Sequence, residues 1–184
     1  MDPEQRQQML ELVRKTLEAE LNGRPLPSAK SFGCQEVEHA GAFVTLKNKG
    51  RLRGCIGTFT AHGSLPETIG EMALASGRDP RFFANPVTAA ELDQIQIEIS
   101  VLSPLRRTSE PLSLELGKHG IYIKRGSQSG CFLPQVATEL GWTKEAYLSH
   151  CCRDKAGLAD DAWKDPETEV HLFTAEVFGE VQEG

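Results

Sequence analysis

"GAFVTLKNKGRLRGCIGTF", residues 41–59, decides the fold. Two runs of β-type residues flank "KNKG", whose Asn48 and Gly50 suit the positive φ of a tight turn, so the stretch predicts an antiparallel hairpin. Its second arm sets Cys55 between Gly54 and Gly57, two residues after Arg53. In a flat strand Arg53 and Cys55 share one face, because side chains repeat every second residue.

Downstream, "LPETIGEMALASG" (65–77) predicts a helix with Ser64 as N-cap, Pro66 in the first turn and Gly77 as terminator. "DPRFFANPVTAAELDQ" (79–94) is a long connection with a short helical piece, and "IQIEISVLS" (95–103) alternates as a half-buried strand does. Upstream, Met9, Leu10, Val13, Leu17 and Leu21 recur at helical spacing until Asn22-Gly23, Pro25 and Pro27 stop the pattern. The Pro-, Gly- and Ser-rich stretch after that helix reads as a surface arm.

The second half replays the first. "HGIYIKRGSQSGCFLPQ" (119–135) is again strand, glycine-containing turn and Gly-Cys. It is followed by the helical "PQVATELG" and "TKEAYLSHCCRDKAG" and a last strand, "VHLFTAEVF". Gly54-Cys55 and Gly130-Cys131 stand about 76 residues apart, and the closing strands about 75, a regularity that points to an internal repeat. The organisation is then a helix and arm over 1–40, a first repeat over 41–103 and a second over 104–184. Chance resemblance of two hairpins is the alternative, since hairpins are common. Repeats packed about a pseudo-twofold would place a site in the seam between them.

The chain of 184 residues is long enough for one good core and short for two independent domains. A formal charge of -6 argues against nucleic-acid or anionic-membrane binding, which need a basic face, and leaves room for a local patch that holds one small anion. No apolar run suits a membrane span or a secretory leader, so a cytoplasmic location is expected. Five cysteines, an odd and irregularly spaced set, read as thiols.

These motifs resemble the AMMECR family. "LRGCIGTF" (52–59) matches its signature, and "GAFVTL", "DPRF" (79–82), "IEISVLS" (97–103), "GKHGI" (117–121), "FLPQVA" (132–137) and "CRDKAGL" (152–158) resemble its other blocks in the same order. The resemblance runs from about residue 40 to the end. It implies an α+β fold, a duplication of two β3α2-type repeats about a pseudo-dyad with a cleft between them. It also implies association with a Memo-like protein and a radical S-adenosylmethionine protein as possible pathway partners. It carries no established activity.

Several residues are candidates for chemistry. A thiol beside the guanidinium of Arg53 would have its pKa lowered from the free value of about 8.5, which favours the nucleophilic thiolate. Gly54 would let a ligand approach the backbone. His119, at the opening of the second hairpin, is the first choice of base and His62 the second. Asp79 and Arg81 of "DPRFF" would bind a carboxylate or phosphate, Arg81 through its planar fork of donors.

Each has a plainer role. Cys55 packs equally well as a small buried apolar residue, His119 as a turn former, and Asp79-Arg81 as a contact that pins a loop. No metal set is expected, since "HCC" at 150–152 diverges on a helix, leaving Cys151 and Cys152 as one core and one flank residue. No cofactor is expected either, as no phosphate-binding loop, dinucleotide fingerprint or serine elbow occurs.

Two functions are consistent with these residues. One is a cytoplasmic cysteine-dependent enzyme acting on a small anionic metabolite in the cleft. The other is a non-catalytic interaction module with a structural Cys55, in which strand Ile95 to Leu102 or Val170 to Val177 accepts an added strand if it lies at an exposed edge.

Overall fold

The computed structural model describes residues 1–32, 41–61 and 63–180. The chain is mixed α and β with antiparallel strand pairing, and divides into two compact units. The first comprises Met1–Leu102 and the residues from Glu176 on, the second Ser103–Ala175.

In the first unit, helix α1 (Pro3–Leu21) starts at Asp2, which shares a capping box with Gln5. Met9, Val13 and Leu17 recur every fourth residue on its buried face. Strands β1 (Gly41–Asn48) and β2 (Arg51–Thr58) form the hairpin, and β1 pairs on its other side with β3 (Ile95–Leu102). Helix α2 (Leu65–Gly77) begins at the expected Ser64, whose N–H and hydroxyl both donate to Glu67.

Alternate residues of the central strands, Val44 and Leu46 on β1 and Ile97 and Ile99 on β3, pair across the sheet and fill a core with Ile69 and Ala73 of α2. The positive φ values of the turn fall on Lys49 and Gly50 rather than on Asn48. Asn48 is already paired with Arg51, so the loop is two residues, and its side chain donates to Glu91 Oε2 at 3.0 Å.

The second unit holds β4 (Arg106–Thr108), β5 (His119–Arg125), β6 (Gln128–Phe132), helices α3 (Pro134–Glu139) and α4 (Lys144–His150), and β7 (Glu169–Gly179) as far as Ala175. The strand order is β4, β7, β5, β6. The helical pattern of 143–157 changes at Cys151 into a π-helical turn, Cys151–Ala156, which ends at Gly157 with φ 67°. Both Cys151 and Cys152 are fully buried there, not one core and one flank. They join one cluster with Phe132 of β6 and with Trp163, so the turn is covered on both sides.

Neither strand proposed for augmentation is a free edge. Beyond β1, β3 meets the returning chain, where the Glu180 N–H donates to Ile97 O at 3.0 Å. Arg14 of α1 grips Glu180 at 2.6 Å and the carbonyls of Leu92 and Ile95. Strand β7 lies between β4 and β5. Among the described residues no helix is long and apolar enough to cross a membrane.

Candidate functional site

Cys55 lies on β2, which within the first unit pairs with β1 alone. The outward-facing backbone groups of Cys55 would otherwise meet water. They meet side chains instead: the Cys55 N–H donates to Asp79 Oδ2 at 2.9 Å, and Arg81 Nη2 donates to Cys55 O at 3.0 Å. Next along the strand, the Ile56 N–H donates to Ser76 Oγ at 3.0 Å, and that hydroxyl donates to Val44 O at 2.7 Å.

Asp79 and Arg81 are set by their own short turn. Asp79 caps the 3-10 turn Pro80–Phe82 by accepting the Arg81 N–H at 3.0 Å. The Arg81 fork closes on the same carboxylate, Nε to Oδ1 at 3.0 Å and Nη2 to Oδ2 at 2.5 Å. The Asp79 side chain has no solvent exposure while Arg81 keeps 56% of its own. Arg81 holds the Asp79 carboxyl down to about 2 against the opposing effect of burial, and the Cys55 N–H adds to the depression. The pKa of Arg81 is raised, first by Asp79 and further by the charge of the neighbouring Cys55 side chain. That thiol also accepts the hydroxyl of Thr45, directly opposite on β1, at 3.2 Å.

Arg53 is placed elsewhere. Leu46 pairs with Gly54 and Lys47 with Leu52, so Arg53 is the extra residue of a β-bulge and the strand is not flat where face-sharing with Cys55 was expected. Its guanidinium binds Glu91 at 2.7 and 3.1 Å and the carbonyls of Asn85 and Pro86 at 3.1 Å. Arg53 in turn holds Glu91 down to about 2. Both Arg53 and Arg81 approach the Phe82 ring, at 5.7 and 5.9 Å.

The close approach that Gly54 permits is to the end of α2. A Cβ there would lie 2.1 Å from Ser76 O. His119 opens β5 in the second unit, where its Nδ1 accepts the Glu115 N–H at 2.9 Å. His62 and Cys34 lie outside the described residues.

Cys55, Gly54, Asp79 and Arg81 are thus brought together in the first unit, with Arg53 bound to Glu91 beside them. Thr45, Ser76 and Glu91 were not anticipated. A Lys49-Gly50 turn continued without a bulge would have set Thr45 opposite Gly54, so only the observed register reveals its link to the thiol. Among the described residues no group of three or more His, Cys, Asp or Glu side chains converges as a metal set would.

Fold and site define a mixed α and β protein of antiparallel hairpins, with a thiol on a strand edge capped by an ion pair. The chain belongs to the AMMECR1 family, whose model matches residues 10–178. It is similar to a Nanoarchaeum equitans protein, 39% identical over 180 residues that cover 94% of this chain and 98% of that one. A Methanothermobacter thermautotrophicus protein is 43% identical over 154 residues, covering 78% of this chain and 77% of its own. Among solved structures, the crystal structure of the uncharacterized protein PH0010 from Pyrococcus horikoshii is similar with a TM-score of 0.84 and 36% identity. It covers 94% of this chain and 89% of that one.

Proposed function

We propose that this chain is an enzyme that uses Cys55 as nucleophile or covalent carrier on a small anionic metabolite. The observation that carries the reading is Arg81: a guanidinium held on the Cys55 residue by a 3.0 Å bond to its carbonyl, anchored by a buried carboxylate and yet more than half exposed. A fixed cation favours the thiolate over the thiol. The outward donors of the same guanidinium are free to take a carboxylate or phosphate and set it against Sγ. The thiolate-stabilising part expected of Arg53 therefore falls to Arg81, and Arg53 positions the 85–91 segment through Glu91.

The duplication belongs to the same reading. It is supported by the recurrence in each unit of a hairpin whose second arm carries Gly-Cys with a helical segment against the glycine. A cytoplasmic setting and a shared pathway with Memo-like and radical S-adenosylmethionine proteins complete the proposal.

A second reading, an interaction module with a structural Cys55, is favoured by the Thr45 hydroxyl donated to Sγ. Differential labelling separates the two. Native protein is treated briefly with iodoacetamide and adducts are mapped by mass spectrometry, for the unaltered chain and for Arg81→Met. The enzyme reading expects Cys55 to be alkylated before Cys131, Cys151 and Cys152, and at least ~5-fold more slowly in Arg81→Met. A Cys55 that reacts only after denaturation overturns it.

A further inference from the structure

The second unit contains a cavity of about 770 Å³ whose walls include Arg107 and Thr108 of β4, Ser109, Trp163, Lys164 and Thr168. Its electrostatics are one-sided. Among the described residues neither Arg107 nor Lys164 has a carboxylate partner, although Lys164 stands 5.1 Å over the Trp163 ring. The acidic wall residue, Asp165, is already engaged: its Oδ2 pairs at 3.0 Å with Arg125, which also binds Glu167, and its Oδ1 accepts the Glu167 N–H at 2.9 Å. Two cations therefore border the cavity with their charge uncompensated.

The polar complement points the same way. Thr168 is nine-tenths buried at the wall, and its Oγ1 has no hydrogen-bond partner. A buried hydroxyl without a partner is rare in folded proteins, and this one, screened from solvent just behind the cavity wall, would be satisfied by a ligand oxygen for which the wall yields slightly. Ser109 adds a hydroxyl on the β4 side, while the Thr108 hydroxyl is partly used in accepting the Glu110 N–H at 3.0 Å. The remaining wall is apolar. Trp163, Pro111, Pro166 and Val170 offer surface, with the indole N–H of Trp163 turned away to Ser149 Oγ at 3.1 Å. Cavities of this size with a few convergent polar groups are typical of small-molecule sites.

We infer that this cavity binds a phosphate monoester of a small, flat, apolar group, its phosphate between Arg107 and Lys164 and its apolar part on Trp163 and the two prolines. A dianion matches two uncompensated cations, and a guanidinium presents paired donors to phosphate oxygens. This site lies wholly in the second unit and does not depend on the chemistry assigned to Cys55.

The test is isothermal titration calorimetry of the full chain with phenyl phosphate, and with inorganic phosphate and phenol as the two halves of the probe. Phenyl phosphate is expected to bind 1:1, about tenfold tighter than inorganic phosphate, with phenol giving no saturable heat. Arg107→Met and Lys164→Met, both at exposed positions, should each weaken binding about tenfold or more while leaving the circular dichroism spectrum and thermal midpoint unchanged. Cys55→Ser and Arg81→Met should leave the affinity as it was.

Three results would overturn the inference. They are no saturable binding of phenyl phosphate, affinity unaffected by both Arg107→Met and Lys164→Met, or affinity lost in Arg81→Met, which would put the phosphate at the first unit's guanidinium.

Discussion

The two cysteine-bearing hairpins solve one backbone problem in the same way and then part company. In each, a glycine before the cysteine admits helical backbone against the strand: a Cβ at Gly54 would lie 2.1 Å from Ser76 O, and one at Gly130 would lie 2.5 Å from Ala156 N. The surroundings of the two thiols differ. Cys55 is met by an ion pair, with Asp79 on its N–H and Arg81 on its carbonyl. Cys131 lies on β6, against a π-helical turn that contributes the buried thiols of Cys151 and Cys152. Burial pushes both of those upward, Cys152 to about 11, which makes them poor nucleophiles at neutral pH. The difference between the surroundings of Cys55 and those of the buried thiols rests on the loop after the helix and not on the hairpin.

Removing that loop's charge should break the contrast most severely. Asp79→Ala strands the Cys55 N–H and releases Arg81, and loss of a buried acceptor with charge-assisted partners costs about 3 kcal/mol. Urea denaturation should show it, with Cys55 alkylated no faster than Cys131. A smaller effect, about 2 kcal/mol each, is expected from Gly54→Ala and Gly130→Ala, because the new methyl meets backbone that must shift. Gly54→Ala should also alter Cys55 labelling, whereas Gly130→Ala should leave it unchanged.

The smallest effect is a difference in pH limbs. Asp79 and Glu91, held at about 2, sit below the unfolded carboxyl values of about 3.9 and 4.3. Their contribution is therefore complete above those values and is lost as pH falls toward 2. Cys152 is raised, so its contribution is complete below the unfolded thiol value of about 8.5 and is lost as pH rises toward 11. Discounted for solvent screening, each group should contribute about 1–2 kcal/mol of the ~2.6 kcal/mol that a full shift of this size carries. Thermal midpoints against pH should show the acid limb flattened in Glu91→Gln and the alkaline limb flattened in Cys152→Ala.

Much of the fold was legible because local signals agreed with tertiary ones. The Ser64 cap, the strand at Ile95 to Leu102 and the fourth-residue spacing of Met9, Val13 and Leu17 each read correctly, although the alternation of that strand ends at Ile99 and Ser100 to Leu102 are all buried. The bulge at Arg53 was not legible, since it accommodates the approach of α2 to Gly54, a contact made about 20 residues away in sequence. The same holds for β4, whose three residues carry no periodicity and become a strand only by pairing with β7. At the site, Cys55, Asp79 and Arg81 were visible as motif residues. Their relation to Thr45 and Ser76 depends on register and had no local signature.

The side-chain cap on Cys55 also closes a strand edge. Asp79 and Arg81 occupy the donor and acceptor that a neighbouring chain would otherwise seek, so they guard the sheet against edge-to-edge association. If the proposed anion draws Arg81 toward itself, the Cys55 carbonyl is uncovered for as long as the anion stays bound. Occupancy of the site and exposure of a sticky strand would then rise together, and each departure of the anion would restore the seal.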